Sequence, residues 1–397
     1  MLVYLERRAI EMKKTSLWLF LFFALFLAGC GNQESNSFER LLTVKNLFRK
    51  DRIVSNFSNM SDMFLVNKFT FETKASTLNL GKVLSFNSGF DKWRTNRNLT
   101  AIVVLKHGDI VYEDYYLGTK QSDQRISWSV AKSYISVLIG IAIDRGQINS
   151  IEDLASDYAP EIRGTPYEQV AIKDLLQMSS GVIFDENYGR YNSDINKMSR
   201  ILALGGSMDK FALEQRKRHA EPGEIWKYVS IDTHILGLVL RRATGQNLSD
   251  LMAEYILKPL GTTGSPYFIT DSQGVAFALG GLNLTTRDYA KFGEMVRQNG
   301  IFQGHRIVSE NWIIESTTPS ANTPSNAFQY GYQWWAPPDA NNGEFFAYGV
   351  YGQCIYIDKS FGVVIAINAA DRNFGKKGML EDYISGFRAI VAKIQKG

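Results

Sequence analysis

A serine and a lysine three positions apart, Ser129 and Lys132, could together perform nucleophilic chemistry. Serine attacks well only when another group takes its proton. On a helix, a residue three positions later lies on the same face, one turn along, and so within reach of that proton. Lysine accepts a proton only when it is neutral, so burial or neighbouring positive charge must lower its pKa. The pair therefore predicts an activated serine nucleophile, provided that Lys132 is buried.

The same spacing occurs a second time, at Ser207 and Lys210, so the surrounding sequence must separate the two copies. Residues 130–143, directly after Ser129, are apolar on nearly every side, which is typical of a buried helix. The N-terminus of such a helix carries the positive end of the helix dipole, which would stabilise an oxyanion formed beside Ser129. Alternatively, Ser129 caps the helix and Lys132 is a solvated residue of its first turn.

Strand-like and helical patterns divide the chain into three parts. Apolar and alternating runs at 99–105 and 110–117 predict a β-hairpin shortly before the serine. Helical spacing dominates residues 150–300, and strand patterns return at 330–368 before a final helix at 379–394. We therefore expect an α/β (α+β) fold in which both chain ends build one antiparallel sheet flanked by helices, with an inserted all-α lobe.

Composition and motif content exclude several classes of function. The formal net charge of +4 over 397 residues is nearly balanced, and no basic run carries interleaved aromatic residues. We therefore expect no nucleic-acid partner. The 4 histidines are scattered without metal-ligand spacing, no Gly-x-Ser-x-Gly elbow occurs, and no glycine-rich phosphate loop precedes a helix. The sequence predicts neither a metal nor a cofactor.

A series of further short motifs follows Ser129-x-x-Lys132 along the chain. They are LLQMSSG at 175–181, PGEIWKY at 222–228, LG at 236–237, PLG at 259–261, GGL at 280–282, RD at 287–288 and YGVYGQ at 348–353. In this order and spacing, residues 99–397 resemble the class C β-lactamase-related serine hydrolases. That superfamily also includes penicillin-binding DD-peptidases, esterases and 6-aminohexanoate-dimer hydrolases, and the resemblance implies the β-lactamase/transpeptidase-like fold.

The resemblance implies a role for each matching residue. Ser129 would be the acylated nucleophile and Lys132 its proton acceptor. Tyr228 would relay a proton to the leaving group and accept one from water, if nearby Lys132 lowers its pKa. Ser230 stands where lactamases usually carry asparagine, and its hydroxyl can still bond to the lysine. The backbone N–H groups of Ser129 and Val350 would form the oxyanion hole.

The third motif departs from the lactamases and DD-peptidases. Their Lys-Thr-Gly, whose lysine attracts a substrate carboxylate, is replaced here by Ala347, Tyr348 and Gly349. Gly349 still lets the backbone approach a substrate. The change is closer to the 6-aminohexanoate-dimer hydrolase and esterase branch, in which a tyrosine on a mobile lid contacts the scissile amide. Tyr188 is the matching position in this chain, with Tyr191 as the alternative.

The N-terminal segment has the pattern of a bacterial lipoprotein signal. Two lysines precede a short apolar run at 17–27, which leads into a Leu-Ala-Gly-Cys sequence that resembles a lipobox. We expect residues 1–29 to be a signal peptide, residues 30–75 a tether and arm lipidated at Cys30, and residues 76–397 the serine hydrolase domain. Since no aspartate follows Cys30, the lipid would hold the chain at the outer membrane, facing the periplasm. An ordinary cleaved signal and a non-cleaved anchor remain alternatives.

Together these observations predict a lipid-anchored serine hydrolase of the cell envelope. It would cleave small-molecule or envelope-derived esters or amides through an acyl-enzyme. Two alternatives remain open. The first is a penicillin-recognising DD-peptidase or β-lactamase-like enzyme, and the second is a non-catalytic module that binds an envelope ligand on the same scaffold.

Overall fold

The computed structural model of the chain describes residues 40, 44–69 and 75–396. The predicted signal peptide and Cys30 lie outside these residues. Among the described residues, no helix combines the length and the hydrophobicity needed to cross a membrane.

The larger sheet is antiparallel and brings the two ends of the chain together. In chain order the strands are β1 (Val66–Lys68), β2 (Leu99–Lys106), β3 (Asp109–Tyr115), β4 (Arg125–Ile126), β5 (Tyr267–Ile269), β6 (Leu282–Leu284), β7 (Ile301–Phe302), β8 (His305–Arg306), β9 (Gln329–Tyr330), β10 (Trp335–Ala336), β11 (Glu344–Gly349), β12 (Gln353–Asp358) and β13 (Val363–Ala369). Within the described chain, seven of them form the order β3-β2-β13-β12-β11-β10-β9. Ile365 of β13 pairs with Val104 of β2, as expected for a sheet built from both ends.

Helices cover both faces of this sheet. In chain order they are α1 (Ile53–Asn56), α2 (Ser88–Asn96), α3 (Ala131–Asp144), α4 (Ala155–Tyr158), α5 (Ile172–Leu176), α6 (Asp194–Leu204), α7 (Met208–Leu213), α8 (Ser230–Thr244), α9 (Leu248–Met252), α10 (Thr286–Arg297), α11 (Glu310–Thr317) and α12 (Met379–Lys396). Helix α10 packs on one face, beside the core that contains α3, and α12 packs on the other. Strands β12 and β13 are therefore buried throughout, which explains their unbroken apolar sequences.

Helix α3, which begins two residues after Ser129, runs through the centre of the molecule. Its residues 131–142 are all buried, because apolar side chains surround the helix axis instead of forming a stripe. Gly140 lets α3 approach Trp312 of α11 closely, since a Cβ there would lie 2.3 Å from the indole ring. The buried helix that the apolar run predicted is therefore confirmed.

The predicted class, a mixed fold with antiparallel sheet and flanking helices, is confirmed, with one correction to its inserted lobe. Residues 150–300 are not entirely helical, because β5 and β6 lie within them. These strands join β1 and β4 in a second sheet of order β1-β5-β6-β4. Strands of two or three residues are too short to show an alternating pattern, so no periodicity predicts them.

The N-terminal arm, residues 44–69, is part of the folded body. Its strand β1 pairs with β5, and Phe57, Met60 and Met63 are buried in the main core. The sequence analysis predicted an arm in this region but did not identify the element against which it packs. Its packing depends on contacts with residues about 200 positions away along the chain.

Candidate active site

Ser129 lies in a tight turn that leads directly into α3. The turn is a 3₁₀ segment, Trp128–Val130, and Trp128 has a φ of 41°. A bulky residue rarely adopts this left-handed conformation, and such strain is concentrated at functional sites. The turn holds Ser129 at the N-terminal end of the buried helix, where the sequence predicted it.

Lys132 is buried in the first turn of α3, with 1% of its surface exposed. Its Nζ lies 3.1 Å from Ser129 Oγ, 3.2 Å from Ser230 Oγ and 3.1 Å from the carbonyl oxygen of Leu279. A neutral amine has two N–H groups and one lone pair, so it can donate to Leu279 and Ser230 while it accepts from the Ser129 hydroxyl. The geometry therefore suits a base that takes the serine proton.

Burial lowers the pKa of Lys132 from 10.5 to about 7. The loss of hydration destabilises the ammonium form, and the carboxyl groups of Glu186 and Asp232 oppose the shift only in part. A substantial fraction of Lys132 is thus neutral near pH 7. This is the condition that the Ser-x-x-Lys interpretation required.

The second Ser-x-x-Lys copy has a different environment. Ser207 is the N-cap of α7, and its Oγ accepts a hydrogen bond of 3.2 Å from the backbone N–H of Lys210. The side chain of Lys210 is 77% exposed. This copy is a helix cap with a solvated lysine, so its context separates it from Ser129 as expected.

Tyr228 lies beside both Lys132 and Ser129. Lys132 Nζ is 5.3 Å from the centre of its ring, which stacks on Trp335 at 5.6 Å. Burial raises the pKa of Tyr228, and hydrogen bonding with Ser129 and Ser230 opposes the rise only in part. The sequence analysis expected a lowered pKa, but the loss of hydration disfavours the phenolate and the carboxyl group of Glu186 adds to the rise. Tyr228 is therefore a neutral hydroxyl beside the nucleophile.

Glu186 is the site residue that the sequence analysis missed. One of its carboxyl oxygens accepts a hydrogen bond from the backbone N–H of Ser230, at the start of α8. The other accepts a bond of 3.2 Å from the hydroxyl of Tyr188. Burial raises the pKa of Glu186, and Lys132 opposes that rise. The one available signal was an acidic residue two positions before the predicted lid tyrosine.

Tyr188 lines the cavity beside Ser129, whereas Tyr191 does not. Tyr188 is 40% exposed, and its ring meets that of Phe374 edge to face with centroids 5.9 Å apart. Its hydroxyl is enclosed against Glu186, and desolvation raises the pKa of Tyr188. Tyr191 is 72% exposed and lies under the guanidinium of Arg200. Of the two candidate positions, only Tyr188 reaches the site.

Asp232 lies behind the lysine and is completely buried. Its Oδ1 accepts hydrogen bonds from Tyr167 at 3.0 Å and from Ser180 at 2.8 Å. Burial raises the pKa of Asp232 to about 8, so the carboxyl group is largely protonated near neutral pH. His234, two residues later on α8, instead pairs with Asp209 at 2.8 Å and belongs to the scaffold.

The end of β11 lies against the turn that carries the nucleophile. A Cβ at Gly349 would lie 2.7 Å from the Ser127 carbonyl oxygen and 3.0 Å from the Ser129 backbone nitrogen, so only glycine fits without displacement. Val350 follows and lines the same cavity as Ser129. Ala347, at the position of the lactamase lysine, is buried in the core cluster shared with α3. The strand therefore brings no charge to the site.

In the described part of the chain, no group of three or more His, Cys, Asp or Glu side chains is arranged to hold a metal ion. Cys354 is buried in β12, and burial raises the pKa of its thiol.

Comparison with known proteins shows the family to which the chain belongs. The sequence pattern of the beta-lactamase family matches residues 94–383. The 6-aminohexanoate-dimer hydrolase of Paenarthrobacter ureafaciens is 26% identical over 280 residues, which cover 67% of this chain and 71% of the relative.

Two solved structures show the same fold. A provisionally assigned 6-aminohexanoate-dimer hydrolase from Bacillus anthracis has a TM-score of 0.74 at 23% identity, over 88% of this chain and 96% of its own. A family VIII carboxylesterase has a TM-score of 0.56 at 16% identity, over 78% of this chain and 98% of its own. Because the family match spans well over half of the sequence, this chain belongs to the beta-lactamase family.

Proposed function

We propose that this protein is a serine hydrolase that cleaves carboxylic ester or amide bonds through an acyl-enzyme on Ser129. One observation carries the proposal: Lys132 Nζ lies 3.1 Å from Ser129 Oγ, and its pKa is lowered to about 7. A general base is most effective when its pKa is close to the working pH. The names of the related proteins, a 6-aminohexanoate-dimer hydrolase and a carboxylesterase, support the same reaction class.

The reaction would proceed in two stages. Ser129 Oγ attacks the substrate carbonyl carbon while Lys132 takes the hydroxyl proton, and the backbone N–H groups of Ser129 and Val350 hold the oxyanion. The proton then passes through the Tyr228 hydroxyl to the departing alcohol or amine as the bond to the acyl carbon breaks. In the second stage water attacks the acyl carbon and gives its proton to Lys132 through Tyr228. As the bond from the acyl carbon to Ser129 Oγ breaks, Lys132 returns the proton to Oγ, which releases the acid and restores the free serine and the neutral lysine.

The supporting residues have distinct positioning roles. Ser230 accepts a hydrogen bond from Lys132 and keeps its amine close to Ser129. Gly349 lets the backbone of β11 approach both the nucleophile and the substrate. Glu186 holds Tyr188 at the rim, where the tyrosine would contact the group being cleaved.

The test is intact-protein mass spectrometry after incubation with a fluorophosphonate serine probe. We expect a single adduct on the wild type and none on Ser129→Ala. Ser207→Ala is the matched control, because it removes the serine of the second Ser-x-x-Lys copy and should retain the adduct. A folded wild type without an adduct, or a Ser129→Ala variant still active on p-nitrophenyl esters, would overturn the mechanism.

The site favours esters and linear amides over penicillins. Penicillin carries a carboxylate, which a lysine attracts in the lactamases. In this chain the buried Ala347 occupies the position of that lysine and offers no positive charge. We expect no covalent labelling by a fluorescent penicillin at concentrations at which the fluorophosphonate reacts fully. Stoichiometric labelling at Ser129 would instead support the penicillin-recognising alternative.

We also propose that Cys30 anchors the protein to the cell envelope, on the basis of the signal-like sequence before it. Metabolic labelling with an alkyne palmitate should modify the wild type and leave Cys30→Ser unmodified. Equal labelling of the two proteins would contradict the proposed lipidation site.

A further inference from the structure

A cavity of about 150 Å³ opens beside Ser129, and the N-terminal arm forms part of its wall. The wall includes Leu47, Phe48 and Met60 of the arm and Ile195 and Ser199 of α6. The arm therefore completes the wall of a cavity next to the nucleophile that the main domain alone would leave open.

Aromatic stacking fixes the arm at this position. The ring of Phe48 stacks on Tyr351 with centroids 4.9 Å apart and an angle of 12° between the planes. It also lies 5.9 Å from Trp128, the residue before the nucleophile. Phe48 remains 38% exposed, so it stands at the mouth of the cavity.

The described part of the cavity wall carries no formal charge. None of its described residues is Lys, Arg, Asp or Glu, and the members with polar side-chain atoms besides Ser129 are Trp128, Tyr188, Asn196, Ser199 and Tyr351. An ionised group placed here would lose its hydration without gaining a partner of opposite charge, which is strongly unfavourable. The wall suits an apolar, uncharged group.

The position of the cavity identifies which part of the substrate enters it. Tyr228 and Lys132, which would deliver the proton to the leaving group, are absent from the described residues of the wall, whereas Ser129 and Val350 belong to it. The leaving group would depart on the side of Tyr228. The group that stays attached to Ser129 would then occupy the cavity.

We propose that this cavity is an acyl-binding pocket, completed by the N-terminal arm, that selects uncharged aliphatic or aromatic acyl groups of about four to six carbons. The inference rests on the proposed serine hydrolase function and names its substrate class. A dry apolar cavity of similar volume accommodates benzene, which sets the size limit. An acyl chain ending in an ammonium group would be disfavoured, although a relative of this chain is named for the 6-aminohexanoate dimer.

The first test measures kcat/KM for p-nitrophenyl acetate, butanoate, hexanoate and dodecanoate. We expect a rise of roughly fourfold per methylene up to hexanoate, as each group leaves water, and a fall for dodecanoate, which exceeds the cavity. p-Nitrophenyl 6-aminohexanoate has nearly the length of the hexanoate but carries a terminal charge, and it should react at least about tenfold more slowly. A flat profile, or equal rates for these two esters, would overturn the inference.

Variants of the wall give a second, independent test. Ser199→Phe narrows the cavity and should reduce kcat/KM for hexanoate at least about tenfold more than for acetate. Phe48→Ala widens the mouth and should move the optimum to a longer acyl chain. Ser122→Phe makes the same serine change at an exposed site outside this cavity and should preserve the wild-type profile. Unchanged acyl selectivity in both wall variants would contradict the assignment.

These results separate the failure of this inference from that of the proposed function. A folded wild type that forms no Ser129 adduct and hydrolyses no ester would refute the proposed hydrolase function, and with it the acyl-binding pocket. A wild type that forms the adduct and hydrolyses acetate without any preference for longer uncharged chains would refute the pocket alone.

Discussion

Replacing Lys132 with methionine should abolish activity and yet relieve a cost to stability that depends on pH. The pKa of this lysine falls from 10.5 to about 7 in the folded protein. At about 1.4 kcal/mol per pKa unit, burial disfavours the ammonium form by roughly 5 kcal/mol. Below pH 7 this full cost lowers the free energy of unfolding, because the folded protein must either release the proton of Lys132 or bury the charged ammonium group.

The sign of the pH dependence follows from proton binding. Between pH 7 and pH 10.5 the unfolded chain holds a proton on Lys132 that the folded protein has released. The free energy of unfolding of the wild type therefore rises with pH across this window. From pH 6 to pH 9 the wild type should gain about 2 to 3 kcal/mol relative to Lys132→Met.

Urea unfolding of both proteins at pH 6 and pH 9, followed by tryptophan fluorescence, measures this gain. The methionine leaves the Leu279 carbonyl oxygen without its bond from the lysine, but that loss is equal at both pH values. Lys210→Met, at a lysine that is 77% exposed, is the matched control and should stay within about 0.5 kcal/mol of the wild type at both pH values. If the difference between Lys132→Met and the wild type is the same at pH 6 and pH 9, the lysine is not neutral in the native protein and the argument fails.

Three further predictions concern the activity. For the wild type, kcat/KM on an ester should rise with pH, with its midpoint near pH 7, and then level off, because neutral Lys132 is the base. This rising limb of the pH profile would contradict the assignment if it continued to pH 9. Glu186→Gln keeps an amide oxygen that can accept from the Ser230 N–H and an amide NH2 that can donate to the Tyr188 hydroxyl. It removes a negative charge that raises the pKa of Lys132, so the limb should move to lower pH, and an unmoved limb in a pH titration would exclude the coupling. Gly349→Ala should lower kcat about 100-fold or more and the free energy of unfolding by about 1 to 3 kcal/mol, because the new Cβ collides with the nucleophile turn. Gly375→Ala, where a Cβ meets open space, is the control in both assays. A Gly349→Ala enzyme that keeps its activity would refute the close approach.

Local sequence was sufficient for the elements with strong periodicity. The apolar run of α3 predicted a buried helix, and the alternating run after residue 109 predicted the β2–β3 hairpin. The second sheet was not predictable, because β4 contains two residues and β5 and β6 contain three each. Such strands exist only because neighbouring chain segments supply their hydrogen bonds, and no pattern within them records those partners.

The same distinction applies to the site. The sequence by itself determined the nucleophile and its base, since Ser129 and Lys132 are three positions apart at the start of one helix, where helical geometry alone brings them together. Only the tertiary structure decided the ionisation of that base, because the burial that lowers the pKa of Lys132 comes from packed segments distant in the sequence. It also decided the contact between Glu186 and Ser230, which are 44 residues apart, and the approach of Phe48 to Tyr351. Contacts of this kind depend on how layers of the fold meet, and the spacing of residues along the chain does not encode them.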